Sequence, residues 1–350
     1  MSIGDRIKLA RTAARLPQRK LADRVGLSAQ AISFYERGER TPDTGVLVRL
    51  AKALGVRVEY FFREPRRIDQ IAFRKLSCVG ARQTLAVEAR VRDWLERYYA
   101  IEEILGVASD PAMPSPCPAS TPDEAEEAAQ SLRDQWDLGE GPVPDLIALL
   151  EDKGLRVGVL DPAPKGFDAC VVWADDAVGI MVRGGLPGDR QRFNLAHELG
   201  HIVFGAASVS DDKLAHRFAG AFLVPAEAAR RELGDQRKRL DLLELHLLKH
   251  KYGLSMRGWV MRAAELGIIS AEYAGQLHRE FTKKGWRTKE PGDPLPSEHP
   301  TRMERLILRA HADGMISESR AGELLGKPLP VYVADEAHEH GEMPVGLGSG

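Results

Sequence analysis

The sequence predicts a mainly helical protein with a small β-sheet, arranged as two modules. The first is an N-terminal module of five short helices, and the second an α+β body followed by a helical C-terminal region. Three observations carry this expectation. Residues 3–62 break into short amphipathic segments at Gly26, Gly38 and Thr41-Pro42-Asp43. Three β-rich runs, LRVGVL, ACVVWA and GIMVRG, lie between Gly, Pro and Asp residues in 155–184. Directly after them, FNLAHELGHIVFG (193–205) places His197 and His201 four residues apart with Glu198 between them.

In the N-terminal module, Ile3, Ile7 and Ala10 form an apolar stripe on the first helix. Pro17 opens a second helix, PQRKLADRV, which Gly26 ends; Leu27 fills the turn. Ser28 is an N-cap for a third, AQAISFYERG, which stops at Gly38. Thr41-Pro42-Asp43 starts a fourth, carrying Leu47, Leu50, Ala51 and Leu54. Helix, tight glycine turn and helix is the helix-turn-helix arrangement, whose second member enters the DNA major groove. Charge agrees: residues 1–67 hold 15 Lys/Arg against 7 Asp/Glu, on a chain of net charge −2. A basic module on an acidic body points to a nucleic-acid partner, and the helix-turn-helix pattern makes that partner double-stranded DNA.

The stretch QRKLADRVGLSAQAISFYERGERTPD resembles the phage-repressor and Cro type of helix-turn-helix, the XRE family. That resemblance assigns base or phosphate contacts to Gln18, Gln30, Ser33 and Phe34, and phosphate contacts to Ser28, Arg37 and Arg40. Gln30 can read adenine bidentately and Phe34 can pack on a thymine methyl, or on a neighbouring domain. Pro17 departs from the family, which has a Ser or Thr cap there; proline suits the first turn but supplies no acceptor. Repressors of this type read palindromes, so a homodimer is expected. The module is assigned residues 1–66.

Residues 67–106 read as a helical connector, helical from Arg82 to Leu105, with a core-facing stripe of Leu85, Val87, Val91, Trp94, Leu95, Tyr98 and Ile101. Residues 107–122, rich in Pro, Ser and Ala, read as an extended linker. The body is assigned residues 123–230. In it PDLIALLEDKG is an amphipathic helix closed by Gly154, and the three β-rich runs form a small sheet before the HELGH helix. A loop capped by Ser208 or Ser210 then leads into a helix carrying Asp211, Asp212 and His216.

Positions i and i+4 of a helix share a face, so His197 and His201 can offer two ring nitrogens to one ion. Glu198 lies about 100° round the helix, placed to take a proton from a water rather than to be a third ligand on that face. Two imidazoles, a general base and a metal that acidifies water form the H-E-x-x-H pattern of zinc peptidases. A bare five-residue pattern also fits two hydrogen-bonded histidines on a core helix, so a third ligand is needed.

RQRFNLAHELGH, AHRFAGAFLVP, YGLSMRGWVMRAAELGIIS and the EPG of 290–292 resemble the ImmA/IrrE family of metallopeptidases, over roughly residues 70–330. The resemblance implies a zincin-like body, Zn²⁺ as cofactor, and a third ligand that is an acidic residue, usually Glu, thirteen positions before the proline of the FAxxxLxP segment. Counting back from Pro225 gives Asp212, an aspartate where the family has glutamate. His216, one turn on, is a rival ligand or a partner of the site. The implied protein substrate is a transcriptional repressor, often of helix-turn-helix type. A non-enzymatic regulator or antitoxin-like repressor, whose body only binds metal or ligand, stands as the alternative.

Residues 231–330 are assigned to the C-terminal helical part of the same body. His246 and His250 are also four apart, but Lys249 and Lys251 flank them and no glutamate sits beside them, so they read as a solvated face. Residues 331–350, acidic and then glycine-rich, read as a disordered tail, with His338 and His340 only adventitious ligands. Apolar residues at 43%, no membrane-length apolar run, no signal-peptide core and three dispersed cysteines, Cys78, Cys117 and Cys170, fit a cytoplasmic protein without a disulfide framework.

Overall fold

The structure is a computed structural model and describes residues 2–63, 71–73, 80–107, 117–174, 177–205 and 212–329. The expectations for the 108–116 stretch of the linker, Cys78, Ser208, Ser210, Asp211 and the 331–350 tail lie outside the described residues. The described residues fall into two compact units: those of 2–63, 80–107 and 301–329 form one, and those of 71–73 and 117–300 the other. No described helix is long and apolar enough to cross a membrane.

The first unit opens with α1 (Ile3–Ala13), α2 (Gln18–Val25), α3 (Ala29–Glu36), α4 (Thr44–Leu54) and a 3₁₀ helix (Val58–Phe62), so the fifth helix is a tight one. Side-chain caps start three of them: Ser2 and Asp5 in a reciprocal capping box, Ser28 on the N–H of Ala31, and Asp43 on the N–H of Val46. Gly26, at φ +70°, makes the left-handed turn between α2 and α3. Ile7, Leu21, Ile32, Leu50 and Phe61 form the fully buried centre.

The chain then contributes β1 (Ile71–Phe73) to the other unit and returns as α5 (Ala81–Leu105). This corrects the connector of 67–106: α5 is an integral wall of the first unit, and residues 71–73 are a strand. The physical reason is polar as well as apolar. Arg6, fully buried, pairs with Glu96 of α5, while Arg63 bridges Asp93 and Glu323 at 2.9 Å each. Leu85 is exposed rather than core-facing; in its turn of the helix the buried face is carried by Ala86 and Ala89.

The second unit contains α6 (Pro122–Gln135), α7 (Leu146–Asp152), β2 (Arg156–Leu160), β3 (Ala169–Ala174), β4 (Ala177–Arg183), α8 (Gly188–Phe204) and α9 (Asp212–Leu223), then α10 (Ala226–Leu233), α11 (Leu242–Tyr252), α12 (Met256–Glu265) and α13 (Ala271–Lys283). The four strands lie in the order β1-β3-β4-β2. β3 is antiparallel to β1 and β4, with Cys170 opposite Met181, and β2 is parallel to β4. The buried helix α8 packs on β3 and β4 on one side and on α9 on the other.

Beyond α13, residues 290–300 have no regular structure, yet they tie the unit together. Glu290 accepts the N–H groups of Met256 and Arg257 at 3.0 Å, capping α12, and Glu298 does the same for Leu146 and Ile147 at the start of α7. Gly188 donates to Leu295 at 2.8 Å, and a Cβ there would lie 2.0 Å from the Pro296 oxygen, so only glycine admits this contact. The solvated-face reading of α11 is corrected here. Lys249 is 3% exposed, held by Glu290 at 3.4 Å and Asp189 at 3.9 Å, and a Cβ on Gly292 would strike the half-buried ring of His246. His250 is exposed, its Nε2 3.2 Å from the Asp293 carbonyl oxygen.

The chain re-enters the first unit as α14 (Arg302–Ala312) and α15 (Glu318–Leu325). Ile307, Ala310, Ile316 and Leu324 close a small core with Ile101 of α5. The assignment of residues 231–330 to the body is therefore corrected: it ends at Pro300, because the apolar faces of the last two helices find their partner on α5.

Candidate metal centre

Almost every side chain of α8 is buried, and His197 and His201 lie on its face toward α9, at 8% and 1% exposure. Asp212 is the first residue of α9, with its side chain 41% exposed. The Nε2 atoms of the two histidines are 3.1 Å apart, and each is close to Oδ1 of Asp212, at 3.9 Å from His197 and 3.8 Å from His201. A triangle with these sides has its centre about 2.1 Å from each corner, inside the zinc–nitrogen and zinc–oxygen range of roughly 2.0–2.2 Å. Among the described residues, these three form the only cluster with metal-ligand spacing. The donor set fits zinc, and three protein ligands leave a fourth position for water or substrate.

Helix packing produces this triangle. A Cβ on Gly200 would lie 2.9 Å from the Phe218 ring, so glycine lets α9 approach α8 here. Phe218 is itself fully buried, stacked at 5.8 Å on Phe222 and edge-on at 5.6 Å to Phe204. His216, one turn beyond Asp212, is not in the ligand cluster. Its ring stacks on Phe193 at 5.6 Å and lies 4.5 Å from that of His197. That places it as a packing partner of a candidate ligand.

Glu198 is 4% exposed and follows His197 round the helix toward the sheet. Cys170 of β3 is near enough to sense it. Burial first, and the Glu198 carboxylate second, push the Cys170 thiol well above its ordinary range, which keeps it protonated and unreactive. Sequence reasoning missed this neighbour; the signal was Cys170 in the run that becomes β3.

Sequence reasoning also missed the ionic scaffold behind α8. Arg192 pairs with Glu298 and donates to the carbonyl of Val143 at 2.6 Å and of Pro144 at 3.3 Å. Its only sequence signal was a charged residue inside the family-like segment RQRFNLAHELGH.

In the first unit, Gln30 is exposed on α3 while Ser33 and Phe34 are half-buried. The guanidinium groups of Arg37 and Arg40 lie 5.4 Å and 5.0 Å from the Phe34 ring centre, and Arg37 also pairs with Glu39 at 2.7 Å. Ser28 uses its hydroxyl to cap α3. Gln18 donates to Glu36 at 2.7 Å, and Glu36 also pairs with Arg11. In this arrangement Gln18 ties α2 to α3.

Comparisons with known proteins divide the chain in the same way. Residues 7–61 match a helix-turn-helix family model, and residues 171–262 match the model of the IrrE N-terminal-like domain. A transcriptional regulator in the ATPase CF(0) region of Rhodospirillum rubrum is 43% identical over 67 residues, 19% of this chain and 62% of that protein. The HTH-type transcriptional regulator ImmR of Bacillus subtilis is 37% identical over 60 residues, 17% of this chain and 47% of that protein. The SPbeta prophage-derived regulator YonR of the same organism is 33% identical over 60 residues, 17% of this chain and 56% of that protein. The chain thus spans about half the length of the curated relatives it matches. It combines an XRE-type helix-turn-helix module with an IrrE/ImmA-like peptidase-family domain.

Proposed function

We propose that this chain is a cytoplasmic, DNA-binding transcriptional regulator whose second unit is a zinc-dependent endopeptidase, and that its substrate is a transcriptional repressor. Cleaving that repressor would release stress-response or mobile-element genes. The observation that carries the peptidase half is the ligand triangle of His197, His201 and Asp212, matched in size to one zinc ion. The DNA half is supported by the helix-turn-helix match and by the two arginines, Arg37 and Arg40, beside Phe34 on α3.

A zinc ion at this centre supplies Lewis acidity and a water of lowered pKa. The chain supplies the rest. His197 and His201 are fixed by the burial of α8, and Asp212 would close the set from the half-exposed start of α9. Glu198 takes the proton of the attacking water and returns it to the leaving amine. A homodimer presents two copies of α3 to successive major grooves of a palindromic operator.

Metal content tests this reading. One zinc per chain is expected in the wild type and in Glu198→Gln, and none in Asp212→Ala. Glu198→Gln should bind operator DNA as the wild type does but leave the repressor intact in cells. Normal regulation by Glu198→Gln would favour the alternative, a regulator whose body only binds metal. Zinc retained in Asp212→Ala would move the third ligand to His216.

A further inference from the structure

We propose that a cavity of about 250 Å³ in the first unit is a binding site for a small carboxylate with an apolar body, such as a short-chain or aromatic acid. This site shares no residue with the metal centre and is independent of the peptidase reading above. The cavity lies between α1, the end of α4, the 3₁₀ helix and α5, all within the unit that carries the helix-turn-helix. Ala10, Ala13, Leu54 and Val56 give it an apolar wall, and Tyr60, Asp93 and Arg97 a polar one. At the ~30 Å³ that a water takes up in the liquid, the space corresponds to about eight non-hydrogen atoms.

Two donors on the polar wall lack a protein partner among the described residues. Tyr60 is 5% exposed, yet its hydroxyl makes no hydrogen bond there. Nor is that hydroxyl enclosed by protein atoms, so the space it meets is the cavity it lines. Buried polar groups are rarely left without a partner, which marks this one as reserved for a ligand. Burial first, and the Asp93 charge second, hold its proton in place far above the ordinary tyrosine range, so it acts as a donor. Arg97 donates from Nε to Asp93 at 3.1 Å and from Nη1 to the carbonyl of Leu324 at 2.8 Å, which leaves Nη2 for a ligand. Asp93 itself is already shared between Arg97 and Arg63, and Arg63 also binds Glu323, which binds Arg320. Three guanidinium groups against two carboxylates leave this run of ion pairs one positive charge in excess, with Arg97 at its cavity end. Arg90, a further lining cation, has a partner of its own. A bound carboxylate accepts from the Tyr60 hydroxyl and Arg97 Nη2 and cancels the excess, while its hydrocarbon part covers the apolar wall. An amine meets like charge there, and a neutral amide leaves the excess uncompensated.

The test uses the full-length protein with benzoate and hexanoate as probes, and benzamide and hexanamide as their neutral counterparts. The readout is affinity by calorimetry at constant ionic strength. Both carboxylates should bind saturably, compete with one another, and bind about tenfold or more tightly than the amides. Tyr60→Phe removes only the hydroxyl and breaks no hydrogen bond within the described protein, so it should melt at or above the wild-type temperature. The same variant should weaken both carboxylates about tenfold. Ala13→Leu puts a side chain into the space and should abolish binding, with circular dichroism reporting that it is folded. No saturable binding of either carboxylate by the wild type, equal affinities for acids and amides, or carboxylate affinity unchanged in Tyr60→Phe would each overturn the site.

Discussion

Replacing Gly200 with alanine sets two effects against each other in the helix that carries the candidate ligands. Alanine is the better helix former by about 1 kcal/mol, so an exposed site would be stabilised. Here the new methyl would lie 2.9 Å from Cδ1, 3.1 Å from Cγ and 3.3 Å from Cβ of Phe218. Carbon contacts are comfortable from about 3.5 Å, so α9 must withdraw by roughly 0.6 Å. Phe218 cannot turn aside, because Phe204 and Phe222 hold it on both sides. Overpacking of this kind costs about 1–3 kcal/mol, which outweighs the gain in propensity. Withdrawal of α9 carries Asp212 with it. If both histidine–aspartate distances grow by that amount, the centre of the triangle moves to about 2.4 Å from its corners, beyond the zinc range. Zinc affinity should then fall by about 10- to 100-fold. Denaturant unfolding and chelator competition measure the two quantities, and the double variant Gly200→Ala/Phe218→Leu should recover much of both. A single variant as stable as wild type, with unchanged zinc affinity, would refute the reasoning.

Three further outcomes can be checked independently. If Arg37 and Arg40 each contact one phosphate, Arg37→Ala or Arg40→Ala should each lower the slope of log K for DNA binding against log salt by about 0.9; slopes unchanged in both would take these residues off the DNA face. Glu298→Ala should destabilise the second unit by about 3–5 kcal/mol in urea, because it removes the acceptor of the Leu146 and Ile147 N–H groups and leaves Arg192, 4% exposed, without its ion pair. Burial first, and the Arg257 charge second, hold His278 below the ordinary histidine range. The unfolded chain therefore binds that proton at higher pH than the folded one, so stability is lost as pH falls through the unfolded value near 6.5. His278→Gln should flatten this part of the melting-temperature profile between roughly pH 5 and 7.5, and a profile as steep as wild type would remove His278 from the account.

What the sequence made legible was local. Ser28, Asp43 and Gly26 are punctuation that acts within a few residues, and the structure uses them at those positions. The same holds for the i,i+4 spacing that brings His197 and His201 together on α8. What stayed hidden depends on partners far along the chain. Lys249 looked like a solvated charge because Glu290 and Asp189, its partners, are 41 and 60 residues away. The last two helices looked like more of the body because their apolar faces carry no address; only α5, some 200 residues earlier, tells where they dock. Three residues of β1 are too few for a period-2 pattern to stand out in a stretch assigned as connector.

Asp212, the candidate third ligand, obeys the same logic of packing. Aspartate is one methylene shorter than the glutamate expected there, so the helix bearing it must come nearer to the histidines. The α8–α9 contact is built from residues that allow this: Gly200 on one helix, and Ala215 and Ala219, both fully buried, on the other. The resulting oxygen lies 3.8–3.9 Å from both ring nitrogens, close enough for one ion to span all three. A glutamate placed on this same backbone would carry its carboxylate past the centre of the triangle or force α9 outward. Asp212→Glu should therefore weaken zinc binding rather than restore a family-typical site, and should bind better only in company with a larger side chain at position 200 that moves α9 away. Tighter zinc binding by Asp212→Glu alone would mean that the two helices are not held at the separation on which the ligand triangle depends.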